Sequence, residues 1–143
     1  MKPKIKRILV PLDGSENSIK GLDKAIYLAR KCNATITGLY VIPFYIAKSG
    51  PRVFGPYREQ MLVQIRKFLH DAKIRSAKNG IVFDEKIIDG DVIAADIANY
   101  AKNKKFDLVV IASRGFGPVK EIFLGSVAYG VLHKSKIPVL LVK

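Results

Sequence analysis

The chain predicts an α/β fold, an open five-stranded parallel sheet with helices on both faces (Rossmann-like). Three observations carry the prediction. Short apolar runs alternate with segments of helical periodicity along the whole chain, an order that calls for parallel strands joined by crossover helices. Several runs are apolar at successive rather than alternate positions, as in strands covered on both faces. At 143 residues and 49% hydrophobic content, residues 1–143 suit a single domain with a core of its own.

The elements follow in order. Residues 5–12 form a first strand through Ile5, Ile8, Leu9, Val10 and Leu12, and Asp13-Gly14 cuts it off. Ser15 can cap the next helix, and Glu16 suits the positive end of its dipole. Ile19, Leu22, Ala25, Ile26 and Ala29 then recur at helical spacing to about residue 31. Residues 35–42 read as a second strand stopped by Pro43. Residues 43–56, with three prolines and two glycines, read as irregular. A long helix is expected over about 57–78, with Leu62, Ile65, Leu69 and Ala72 on one side and Asn79-Gly80 closing it. Residues 81–88 can form a third strand, weakened by Asp84, Glu85 and Lys86. Asp89-Gly90-Asp91 turns the chain into a helix with Ile93, Ile97 and Ala101 inward. A wholly apolar strand over 108–112, a glycine-bearing loop, a helix over about 126–134 and a strand over 137–142 complete the chain. The first, fourth and fifth strands read as apolar on both sides, hence buried.

The formal net charge of +13 favours polyanionic partners, nucleic acid first among them. The basic residues are scattered, however, and the densest cluster, Lys102, Lys104 and Lys105, falls where a helix should end and suits its dipole. The charge is therefore read as a modifier of partners, consistent with weak, nonspecific, salt-sensitive nucleic-acid binding. Cys32 is the only cysteine, which excludes an intrachain disulfide and a cysteine metal cluster and points to a reducing cytoplasm. No apolar run approaches membrane-spanning length, and the basic N-terminus lacks the apolar stretch of a secretory signal.

In open parallel sheets ligands sit beyond the carboxyl ends of the strands, where the strand order reverses. That directs attention to Asp13, to residues 41–43 and to residues 113–126. The most informative stretch is Ala112-Ser113-Arg114-Gly115-Phe116-Gly117-Pro118, followed by Gly125-Ser126 at the opening of a helix. Glycines let a backbone approach a ligand closely, and a helix N-terminus offers unpaired N–H groups, so together they describe a phosphate cradle. The plainer alternatives are a tight turn at Gly115 and Gly117 and an ordinary cap at Gly125. No Gly-x-x-x-x-Gly-Lys-Ser/Thr loop occurs, and Lys120 stands where a dinucleotide fingerprint needs its third glycine. His70 and His133 are isolated on helices, and no Ser-His-Asp set or glutamate pair suggests a catalytic centre.

These residues carry a resemblance. Gly115, nine intervening residues and Gly125-Ser126 resemble the closing part of the Gly-x-x-Gly, nine residues, Gly-Ser/Thr motif of the ATP-binding universal stress proteins. Ile8-Leu9-Val10-Pro11-Leu12-Asp13-Gly14-Ser15 is similar to the family's opening strand and acidic turn, and Leu39-Tyr40-Val41 to its second strand. The likeness spans residues 5–142. Ala112 stands where the motif has its first glycine; its methyl crowds a ligand if the backbone must approach closely there, and costs little if not.

The resemblance implies ATP or AMP as ligand, with Mg²⁺ or Mn²⁺ carried on the phosphates. It implies that Asp13 serves the nucleoside and that Val41 and Pro11 hold the adenine. Gly115, Gly125, Ser126 and Val127 would give N–H groups to the phosphates, with Arg114 and Lys120 adding charge. Without a ligand, Asp13 is a turn residue and Val41 is strand core. It also implies a homodimer through the last strand, an unidentified protein partner, and slow hydrolysis or none. The segment 43–56 is expected to act as a lid. Two other readings stand beside it: a non-nucleotide-binding stress protein acting through its dimer and basic surface, and an enzyme of adenylate chemistry. The last is disfavoured because Asp13-Gly14-Ser15 lacks the glycine-rich phosphate loop of ATP pyrophosphatases.

Overall fold

Side-chain alternation along the first strand sorts the core into two. In β1 (Arg7–Pro11), Ile8 and Val10 point to one face of the sheet and Leu9 to the other, and all three are fully buried. The computed structural model describes residues 4–43, 51–115 and 125–143. After β1 come α1 (Glu16–Cys32), β2 (Thr35–Pro43), α2 (Pro51–Ala77), β3 (Phe83–Gly90) and α3 (Ile93–Asn103). β4 (Leu108–Ala112), α4 (Ser126–Lys134) and β5 (Val139–Val142) follow.

The five strands form one parallel sheet in the order β3-β2-β1-β4-β5, which is the predicted fold class. Ile8 pairs with Ile36 on one side and Leu108 on the other, placing β1 at the centre. The chain winds outward from β1 through β2 to β3, then crosses to the opposite flank at β4. The order therefore reverses between β1 and β4, and their carboxyl ends part to leave a crevice.

α1 and α2 cover one face, burying Leu22, Ala25, Ile65 and Leu69 against Ile8, Val10 and Val110. α3 and α4 cover the other, where Ile97, Ala101 and Val131 pack on Leu9, Val109 and Ile111. Burial of each leucine, isoleucine or valine among them is worth about 1.5–3 kcal/mol. α1 is fixed at both ends: the Ser15 hydroxyl accepts from the Ser18 N–H at 3.1 Å, and Asn33, in the left-handed region at φ 55°, closes its C-terminus.

Two expectations are corrected. Residues 51–56 are not irregular, because α2 starts at Pro51 and takes Pro56 into its interior. A proline in the first turn sacrifices no hydrogen bond, and the one bond lost at Pro56 is outweighed by the long helix beyond it. β5 is not buried on both faces: it lies at the sheet edge, and all four of its residues are half-buried. β4 is buried throughout, and β2, between β1 and β3, buries residues 36–39 at successive positions.

Candidate functional site

A cleft of about 410 Å³ opens over the carboxyl ends of β1, β2 and β4, roofed by the first turns of α3 and α4. Its lining is mostly apolar, with Leu39, Val41 and Ile111 from the strands facing Ile93 and Ile97 from α3. One edge is polar, and two turns and a strand edge meet to build the rim.

The first turn leaves β1. Leu12 N–H still bonds to Leu39 O at 3.0 Å, after which Asp13 bends the chain into α1. Asp13 Oδ1 accepts from the Ser15 N–H at 2.8 Å, which orients the carboxylate. Its Oδ2 lies directly against Gly115, in the space a Cβ at that residue would need. Gly115 is thus held to a glycine by the carboxylate beside it. Asn17, on the first turn of α1, donates from Nδ2 to Gly115 O at 3.3 Å and ties the β4 exit to α1.

The second turn leaves β4. Ser113 N–H bonds to Val142 O at 2.7 Å, extending the β4–β5 ladder by one rung, while Ser113 O accepts from Gly125 N–H at 2.7 Å. The chain therefore leaves the sheet and returns to it at one point. Gly125 is the N-cap of α4 and brings no side-chain cap. The N–H groups of Ser126, Val127 and Ala128 begin the helix at the cleft wall, where the dipole favours an anion. α1 caps itself and α4 does not.

The third contribution is the edge of β2. Pro11 pairs opposite Leu39, and β2 runs on to Pro43. Beyond that point its β1-side edge faces the cleft, at Val41, rather than a neighbouring strand.

All nine residues singled out in the sequence border this cleft: Pro11 and Asp13 from the first turn, Val41 from β2, Ala112, Arg114 and Gly115 from the β4 exit, and Gly125, Ser126 and Val127 at the head of α4. Lys120 and the rest of 116–124 lie outside the described residues, as do residues 44–50 of the expected lid; its remainder, 51–56, belongs to α2. Sequence reasoning missed Asn17, which no motif marks. It also read Ile93 and Ile97 as ordinary inward residues. Their spacing is that of any amphipathic helix, and only the tertiary structure puts them over the cleft.

Among the described residues no group of three or more His, Cys, Asp or Glu side chains is placed to hold a metal ion. None of their helices is long and apolar enough to cross a membrane.

The fold and the cleft define a doubly wound α/β protein with an apolar crevice and an open helix N-terminus at its topological switch point. The sequence profile of the Universal stress protein family matches residues 4–143, and the chain belongs to that family. It is 34% identical over 148 residues to Universal stress protein YxiE of Bacillus subtilis, covering 96% of this chain and 98% of that one. Among solved structures it is similar to hypothetical protein MJ0577, with a TM-score of 0.84, 27% identity and coverage of 96% and 95%. It is also similar to a universal stress protein in complex with cAMP, with a TM-score of 0.71, 25% identity and coverage of 98% of each chain.

Proposed function

We propose that the cleft binds an adenine nucleotide, ATP or AMP, and that the protein acts as a cytoplasmic stress-response switch rather than a fast enzyme. The observation that carries the reading is the convergence, at one end of an apolar crevice, of an oriented carboxylate at Asp13 and the uncapped N-terminus of α4. An apolar slot suits a flat base, a carboxylate accepts from ribose hydroxyls, and a helix N-terminus receives phosphate. The cAMP complex of a similar family member supports the same ligand class.

In this reading adenine lies between the strand ends and Ile93 and Ile97, its edge against the backbone of Val41 and its face near Pro11. Asp13 holds the ribose through Oδ2. The N–H groups of Gly115, Ser126 and Val127 receive the phosphates, with Arg114 supplying charge at the same rim; the Gly125 N–H, expected to join them, is already committed to Ser113 O at 2.7 Å. A magnesium or manganese ion would arrive on the phosphates, since the described residues offer it no ligand set. Hydrolysis is slow or absent: Asp13 is taken by the ribose, and among the described residues no second carboxylate and no histidine lines the cleft.

The protein forms a homodimer through β5. Val139, Leu140, Leu141 and Val142 are half-buried on an edge strand, which is a ready surface for a second copy. Light scattering coupled to chromatography should give twice the chain mass, and a clean monomer would remove this part of the reading.

The test of the ligand is titration calorimetry of nucleotide-stripped protein with ATP, AMP and GTP, repeated on Asp13→Ala. Adenine nucleotides should bind in preference to GTP, and the variant should bind about tenfold or more weakly, as expected for losing a charge-assisted hydrogen bond. Absence of binding by folded wild type would leave the dimer and the basic surface as the functional parts.

A further inference from the structure

We infer that the outer stripe of α1, formed by Lys20, Lys24, Tyr27 and Lys31, is a docking surface for single-stranded nucleic acid, separate from the cleft. The four residues recur at i, i+4, i+7 and i+11, so they share the helix side opposite to buried Leu22, Ala25, Ile26 and Ala29. All four are exposed, Tyr27 by 57% despite its size. Over 11 residues the stripe runs about 16 Å in a straight line.

Two further contacts turn this from scattered charge into an organised surface. The Lys24 and Lys31 ammonium groups stand 5.9 and 5.6 Å from the centre of the Tyr27 ring, which gathers them around one aromatic. Asp23, the acid adjoining the stripe, is taken up by Arg75 of α2 in a two-bond fork, Nε to Oδ1 at 2.5 Å and the terminal nitrogen to Oδ2 at 2.8 Å. Its charge is therefore spent across the α1–α2 contact and does not oppose the lysines. Glu16, one turn before Lys20, bounds the stripe at the helix start.

The occupant follows from complementarity. A straight row of cations on a chain of net charge +13 matches an extended polyanion. An exposed aromatic among those cations adds a platform for a π face, which an unpaired base presents and a stacked duplex withholds. Acidic protein and anionic lipid supply the charge without the base.

The experiment is fluorescence anisotropy with a labelled oligothymidylate of about 15 nucleotides, in saturating AMP so that the cleft takes no part. The K20A/K24A/K31A variant should bind at least about tenfold more weakly. It should also flatten the slope of log K against log salt by about 2, the effect of removing three phosphate contacts on a single strand. Tyr27→Ala should weaken binding about tenfold with the slope unchanged. A control of equal charge change on the other face, K102A/K134A/K136A, should stay within about twofold. Circular dichroism verifies that each variant folds. Equal losses in the two triple variants would overturn the proposal in favour of diffuse charge. So would duplex binding as tight as single strand, or binding of anionic vesicles or polyglutamate with none of the oligonucleotide.

Discussion

Gly21 of α1 and Ala112 at the end of β4 meet where the helix lies on the sheet: a Cβ on Gly21 would stand 3.3 Å from the backbone nitrogen of Ala112 and 3.8 Å from its methyl. Ala112 alternates with Leu108 and Val110, so its methyl belongs to the α1 side, while the cleft lies on the side of Ile111. The alanine at the motif's first position is thus accommodated by a glycine on the neighbouring helix. Ala112→Gly should leave AMP affinity within about threefold and lower stability by about 0.5–1 kcal/mol, the usual cost of glycine in a strand. Gly21→Ala sets a gain in helix propensity of about 1 kcal/mol against a tight contact with the Ala112 backbone, and should be net destabilising by no more than about 2 kcal/mol. Calorimetry and urea unfolding check the two halves of this prediction.

Asp13 and Gly115 share one small volume, so their substitutions should not add. Gly115→Ala drives a methyl into the position of Asp13 Oδ2 and should reduce AMP affinity about as much as Asp13→Ala. The double variant should fall short of the sum by about 1 kcal/mol or more, as residues in contact do. A double-mutant cycle read by calorimetry measures the coupling, and strict additivity would mean that the carboxylate is positioned by Ser15 alone.

Pro56 interrupts the backbone ladder of α2 on an exposed part of that helix. Restoring the N–H with Pro56→Ala should raise stability by about 1–3 kcal/mol, a gain seen as a higher urea midpoint with an unchanged slope. An unchanged or lower midpoint would mean that the turn of helix before Pro56 contributes nothing to the folded state.

At the opposite end of the sheet, Asp107 fastens the start of β1. Its Oδ2 accepts from the N–H of Lys6 at 2.8 Å and of Arg7 at 2.9 Å, and its own N–H bonds to Arg7 O at 2.9 Å. The Arg7 guanidinium in turn lies 4.3 Å over the Phe106 ring. Asp107→Ala should cost about 1–2 kcal/mol and expose the amide of Arg7 to faster hydrogen exchange, while AMP binding at the far edge stays unchanged.

The fold was legible because its signals are local. The run Ile8-Leu9-Val10 and the helical recurrence of Leu22, Ala25, Ile26 and Ala29 state their structure without reference to the rest of the chain. The polar edge of the cleft was legible for a similar reason, since glycines at 115 and 125 and an acid at 13 are unusual residues at strand exits. What stayed hidden depends on neighbours. Ile93 looks like core until α3 is laid over the crevice, and nothing near Asn17 announces that its amide will hold Gly115. The start of α2 was misread because Pro51 and Pro56 weigh as breakers in isolation, although one sits where its missing N–H is of no consequence. The exposure of β5 could not be read because a strand's place in the sheet order is not written in its own residues.

The bond from Gly125 N–H to Ser113 O has a consequence for how this protein can change over generations. Because the exit from β4 and the entry to α4 are fastened to each other directly, the intervening residues do not set the distance between them. Lengthening a loop whose ends are already joined adds little, about 0.6 kcal/mol for each doubling. Exchanges within 116–124 should therefore leave the sheet, and the pocket it carries, inherited intact.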